Sequence, residues 1–164
     1  MKRTTWTLIV MGLILLPMGW AQAADWTVMT PVGDGQVDVW LTRSSGRAHV
    51  GLATTWLDND DNPADGDAFG LGFLAMYDVV DDAHIVIGDV NIPATWSVGA
   101  KGQIMFFTQS SDVDPAPSLF TSLLFGNEKM GLGPVYQYAL TDDLWNKLAP
   151  QDEHRLLISA YFNF

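Results

Sequence analysis

The residues equipped to do chemistry are few. The densest set is the run Asp58-Asn59-Asp60-Asp61-Asn62-Pro63-Ala64-Asp65-Gly66-Asp67. Asp58, Asp60 and Asn62 have the first three ligand spacings of a calcium-binding EF-hand loop, but Pro63 stands where that loop needs glycine and Phe69 where it needs the closing glutamate. An EF-hand is therefore not expected. What remains is loose binding of a divalent cation by Asp58, Asp60, Asp61, Asp65 and Asp67, through carboxylates and water, bridging to phosphorylated lipid. The histidines, His49, His84 and His154, are scattered and lack metal-ligand spacing. His154 with Ser110, Ser111 or Ser118 would be the raw material of a lipid hydrolase or acyltransferase, but no nucleophile-elbow motif is present. No catalytic residue, metal site or cofactor is expected, and the chain reads as a non-enzyme. Lys101 is the one cation well inside a strand-like pattern. In an enclosed interior it would seek a carboxylate, and Asp38 and Asp78 lie on the matching face of their own segments. Such an ion pair would plug the interior; the competing placement is a lysine snorkelling to a rim.

Strands must position these side chains, because the dominant pattern has a period of two. Residues 155–164 put Phe164, Phe162, Ala160, Ile158 and Leu156 on one face and Asn163, Tyr161, Ser159, Leu157 and Arg155 on the other. A transmembrane β-strand needs about 9–11 residues with faces alternating in this way. A closing strand that stops on an aromatic is the form that outer-membrane barrels present to their assembly machinery, so Phe164, Phe162, Ala160 and Ile158 are read as that signal.

The other end is a targeting segment. Lys2 and Arg3 precede an apolar stretch at residues 8–16, Pro17 and Gly19 break it, and Ala21-Gln22-Ala23 is a small-x-small cleavage site. Residues 1–23 are expected to be a cleaved signal peptide and residues 24–164 a single domain. Removing Lys2 and Arg3 leaves 6 basic residues against 19 acidic ones, a net charge of −13 against −11 for the whole chain. Such a balance argues against nucleic acid, whose phosphates need cations, and against a polybasic membrane-surface binder. With no cysteine, neither disulfides nor thiolate metal sites are available. Beyond the signal there is no long apolar helix, so only a closed β-barrel could satisfy the backbone inside a bilayer.

Alternation marks further strands at residues 25–32, 36–43, 47–57, 68–80, 95–109, 119–125 and 130–140. Pro31 is expected to stop the first, Asp81-Asp82 to turn the chain, Pro115 and Pro117 to make residues 110–118 a loop, and Pro134 to sit at a bulge. Residues 141–153 read as a polar loop, with a helical turn around Leu144 and Trp145. Residues 84–92 are ambiguous. If both termini and the short turns lie in the periplasm and the longer loops outside, the count comes to eight, and residues 81–94 become a long periplasmic connector or an inward fold. Ten strands is the alternative count, and a soluble periplasmic β-sandwich or barrel the alternative fold. Trp26, Trp56, Tyr77, Trp96, Tyr138 and Phe164 lie near strand ends, where aromatic belts meet the two bilayer interfaces.

The middle of the chain carries Thr54-Thr55-Trp56, Asp58-Asn59-Asp60-Asp61 and Gly66-Asp67-Ala68-Phe69-Gly70-Leu71-Gly72 in this order. In these residues the chain resembles the YfaZ family of small outer-membrane barrels. Asn91-Ile92-Pro93 and Val98-Gly99-Ala100-Lys101-Gly102 extend the likeness, so that it covers residues 50–107 with gaps. Residues 81–90 look like an insertion. The resemblance implies an antiparallel up-and-down transmembrane barrel, sometimes described as porin-like, in a Gram-negative envelope, and it brings no catalytic residues. The expected role is structural or interactive at the envelope, with porin-like passage of small solutes second and lipid-modifying enzymology third. The expected partners are outer-membrane lipid and lipopolysaccharide, the barrel-assembly machinery and periplasmic chaperones.

Overall fold

The computed structural model describes residues 26–33, 35–58, 66–109, 113–140 and 154–164. They form eight strands: β1 (Trp26–Gly33), β2 (Gln36–Ser45), β3 (Ala48–Leu57), β4 (Ala68–Ile87), β5 (Val90–Phe107), β6 (Val113–Gly126), β7 (Met130–Ala139) and β8 (His154–Asn163). Each strand pairs antiparallel with the next and β8 returns to β1, so the sheet closes into an up-and-down barrel. The seam runs from Thr27↔Asn163 to Val32↔Ile158. At its end the Trp26 amide donates to the Phe164 carbonyl at 3.2 Å, and the Phe164 amide returns the bond at 3.0 Å. Closure gives every strand a neighbour on both sides.

The period-two pattern of the sequence becomes an inside and an outside. In β8, Leu156, Ile158 and Phe162 are exposed while Arg155, Leu157 and Ser159 are buried. In β5, Val98, Ile104 and Phe106 point out while Ser97, Lys101, Gln103 and Met105 point in. The outer face is apolar almost throughout, with Phe73 at 72% exposure in mid-strand. Two aromatic rows bound it. At the loop end Trp56, Phe69 and Phe106 are neighbours across β3, β4 and β5. Tyr77 and Trp96, with Trp26 and Phe164, lie at the end that carries both termini.

The interior is packed in layers. Leu57, Ala68, Met105, Phe107, Ala116 and Ala139 cap the loop end. Met29, Trp40, Leu74, Phe120, Val135 and Leu157 fill the half toward the termini. Between them lies a polar layer. Glycine supplies the room: a Cβ on Gly99 would meet the Phe120 ring and, at 2.5 Å, the Ala75 carbonyl oxygen.

Five expectations need correction, and the count of ten falls with them. Residues 81–94 are neither a connector nor an inward fold; they lengthen β4 to 20 residues and β5 to 18. The chain does not turn at Asp81-Asp82. It turns at Gly88-Asp89, where Gly88 has φ 61°, a left-handed value that glycine adopts without a Cβ clash. Residues 113–118 are strand, not loop. Pro115 and Pro117 pair with β5 opposite Ile104 and Gly102, whereas pairing to β7 begins only at Ser118↔Ala139; a missing N–H is tolerated at such a local edge. Pro134 sits at no bulge: it faces Ile158 in an unbroken register, and the ladder to β6 skips it between Ser122↔Val135 and Phe125↔Leu132. Pro31 likewise stays within β1, paired with Ser159 of β8. The targeting segment, Ser110, Ser111 and the turn around Leu144 and Trp145 lie outside the described residues.

Candidate functional site

The polar layer is built by one or two inward positions from each of six strands. Asp38 and Gln36 come from β2, Thr55 from β3, Lys101 and Gln103 from β5, Ser118 from β6, Gln137 from β7 and Arg155 from β8. All are buried, with Asp38 at 0% and Lys101 at 2% exposure. Lys101 Nζ lies 2.6 Å from Asp38 Oδ2. It also donates to Thr55 Oγ1 at 3.2 Å and Gln137 Oε1 at 3.5 Å, and stands 5.7 Å from the centre of the Trp40 ring. Asp38 takes two further donors, Gln36 Nε2 at 2.8 Å on Oδ1 and Trp40 Nε1 at 3.0 Å on Oδ2. The amides tie the layer across the lumen: Gln36 Nε2 to Gln137 Oε1, Gln137 Nε2 to Ser118 Oγ, and Arg155 Nη1 to Gln36 Oε1.

A buried charge pair persists only where the remaining lone pairs and protons are also satisfied. The donors on Asp38 and the acceptors around Lys101 meet that condition. Chemically, the layer is a cross-link. It offers no exposed nucleophile, and the cavity left among Gln36, Thr55, Lys101, Gln103 and Gln137 is about 10 Å³, roughly the volume that admits one water.

Asp78 is not part of this layer. It lies nearer the termini, where its Oδ2 accepts from His49 Nε2 at 2.7 Å and its Oδ1 from Ser97 Oγ at 2.6 Å. His49 Nδ1 in turn lies 2.8 Å from Ser44 Oγ. This second polar chain crosses β2, β3, β4 and β5. Sequence reasoning missed it, although His49 and Asp78 both fall on the inward face near the same end of adjacent strands. Outside the mouth, Arg47 holds Asp81 through two bonds of 2.9 and 3.0 Å, and the Asp81 carboxylate raises the Arg47 pKa above its ordinary value.

Among the described residues, the other candidates are not brought together. Ser118 points into the lumen, whereas the His154 ring lies outside, stacked near Tyr136 and Tyr138 and bonded to the Tyr136 hydroxyl. Of the acidic run, Asp58 and Asp67 flank the β3–β4 connection. The Asp58 amide donates to the Gly35 carbonyl and the Asp67 carbonyl accepts from the Thr108 amide. Asp60, Asp61 and Asp65 lie outside the described residues. Among the described residues no three His, Asp or Glu side chains converge as a metal site would require. His84 lies on the long β4–β5 hairpin, opposite Pro93. Phe162 and Ile158 project outward from the closing strand, and Ala160 faces Thr30 across the seam.

No protein-family model matches the chain, and no curated protein does. The YfaZ resemblance is therefore not shown by these comparisons. Among solved structures, the chain is similar to the N-terminal β-barrel domain of OprF from Pseudomonas aeruginosa. The two share 11% identity at a TM-score of 0.47, covering 86% of this chain and 96% of that one.

Proposed function

We propose that the protein is an integral outer-membrane barrel whose interior is filled by side chains, and that it serves the envelope as a structural or interaction element. The observation that carries this reading is the inversion of polarity across the wall. Large apolar side chains such as Phe73, Leu71, Ile104 and Leu156 face out, while Lys101, Asp38 and Arg155 face in. In water that arrangement would expose a continuous apolar surface; in lipid it is the expected one. Phe69 and Tyr77 in the two aromatic rows are eight residues apart on β4. At a tilt of roughly 40° they are separated by about 20 Å along the barrel axis, against an apolar band of about 25 Å in outer-membrane barrels.

The packed lumen favours a closed barrel over porin-like passage, and the separation of Ser118 from His154 disfavours the hydrolase reading. Bilayer lipid and lipopolysaccharide would surround the wall. The assembly machinery and periplasmic chaperones would read the closing strand at Ile158, Ala160, Phe162 and Phe164, after a signal peptide has delivered the chain. Fractionation and heat-modifiable gel mobility test the location: the native protein should follow the outer membrane and run faster unheated than heated. A protein that stays folded and soluble without detergent refutes it. Planar-bilayer recording tests closure, and a stable, sizeable conductance would overturn that part alone.

A further inference from the structure

The β4–β5 hairpin overshoots the wall. Pairing of β3 with β4 ends at Ala48↔Tyr77, and pairing of β6 with β5 ends at Ala94↔Phe125, yet β4 and β5 pair on to Ile87↔Val90. Beyond those points, past the Asp78 amide bonded to the Arg47 carbonyl, no strand among the described residues pairs with either edge of the hairpin, which projects as a two-stranded ribbon from the barrel end that carries the termini. Its register sorts residues cleanly by face. Ala83↔Ala94, Ile85↔Ile92 and Ile87↔Val90 form one side, and His84↔Pro93 and Val86↔Asn91 the other. The first side is wholly apolar and belongs to the same pleat face as Val80, Trp96 and Leu123 on the outer wall. Ile85, Ile87 and Val90 are 38%, 65% and 58% exposed. On the second side Val86 is the lone large apolar residue. Register irregularities between Asp78, Val80 and Ala83 mark where the ribbon leaves the wall, and the Arg47–Asp81 pair braces that point.

We propose that this ribbon is a membrane-interface foot, lying on the periplasmic leaflet with its isoleucine–valine side in the boundary between headgroups and acyl chains. The inference rests on the membrane reading of the wall. Continuity with the lipid-facing surface identifies lipid as the occupant. The open edges set the depth: their outward backbone groups have no partner strand among the described residues, and they would be unsatisfied in hydrocarbon but are satisfied by water at headgroup level. Charge sets the lipid class. Residues 79–94 contain Asp81, Asp82 and Asp89 and no lysine or arginine, so attachment comes from apolar area. Zwitterionic phospholipid suffices, and salt has little effect. The foot would fix the depth and rotation of the barrel in its leaflet.

The chain has no cysteine, so single-cysteine variants of the full protein can be spin-labelled without background. Labels at Ile85→Cys, Ile87→Cys and Ile92→Cys sample one side, and labels at His84→Cys, Val86→Cys and Asn91→Cys the other. Phe73→Cys is the wall control. In vesicles of phosphatidylcholine and phosphatidylethanolamine, the ratio of oxygen to nickel-chelate accessibility should alternate with period two, several-fold higher at 85, 87 and 92, and unchanged at high salt. Equal water access on both sides, with Phe73 still in lipid, overturns the foot and leaves the membrane reading standing. Water access at Phe73 as well overturns the membrane reading itself. Shielding that grows with the protein-to-lipid ratio means that a second copy covers the ribbon, which also overturns the proposal.

Discussion

Replacing Lys101 with methionine isolates the central claim about the lumen. Methionine keeps most of the side-chain volume and removes the charge. Asp38 then keeps Gln36 and Trp40 as donors but loses the ammonium at 2.6 Å, in a site where neither partner reaches solvent. Removing one member of a buried pair costs about 3–5 kcal/mol, because the other charge stays buried without compensation. At a urea m-value of about 2 kcal/mol/M, the unfolding midpoint falls by about 1.5–2.5 M. The assay is urea unfolding of the refolded barrel in detergent micelles, followed by tryptophan fluorescence and heat-modifiable mobility. Asp38→Asn should lose a similar amount, by leaving Lys101 unpaired. The double variant Lys101→Met/Asp38→Asn should lose far less than the sum, since both charges are gone. If Lys101→Met shifts the midpoint by less than about 0.3 M, or the two changes simply add, the pair is not the cross-link described here.

Gly99→Leu should block folding or destabilise by about 1–3 kcal/mol or more, and Phe120→Ala should rescue it only in part, because the Ala75 carbonyl in the way is backbone; refolding yields of the two variants check this. Trp40→Ala removes a fully buried ring packed 4.5 Å from Phe120 together with a donor to Asp38, and should cost about 3–5 kcal/mol, read as a fall in the urea midpoint. Asp78→Ala frees His49 and Ser97 and should speed amide exchange at the termini end of β4 while leaving residues 68–74 protected, measurable by hydrogen exchange. Deleting Phe164 removes both backbone bonds to Trp26 and should lower the fraction of chains reaching the heat-modifiable form in cells.

The sequence alone determined which way the residues of its regularly alternating strands face. A period of two is local information, so the outward set of β8, the inward placement of Asp38, Asp78 and Lys101, and the number of wall strands could all be read without the fold. Turn positions were less legible. Asp81-Asp82 is polar enough to suggest a turn, but the conformational freedom of Gly88 settled where the chain reverses, and the ribbon follows from that. Proline was over-read: Pro31, Pro115, Pro117 and Pro134 each sit where one neighbouring ladder has stopped or skipped, a circumstance that only pairing can reveal. The choice between Asp38 and Asp78 also belonged to tertiary structure. Asp78 pairs with Ser97, four residues and about 13 Å along β5 from Lys101, whereas Asp38 reaches Lys101 across the lumen from a position 63 residues away in the chain. Alternation says that a side chain points inward; only closure of the barrel decides what it meets there.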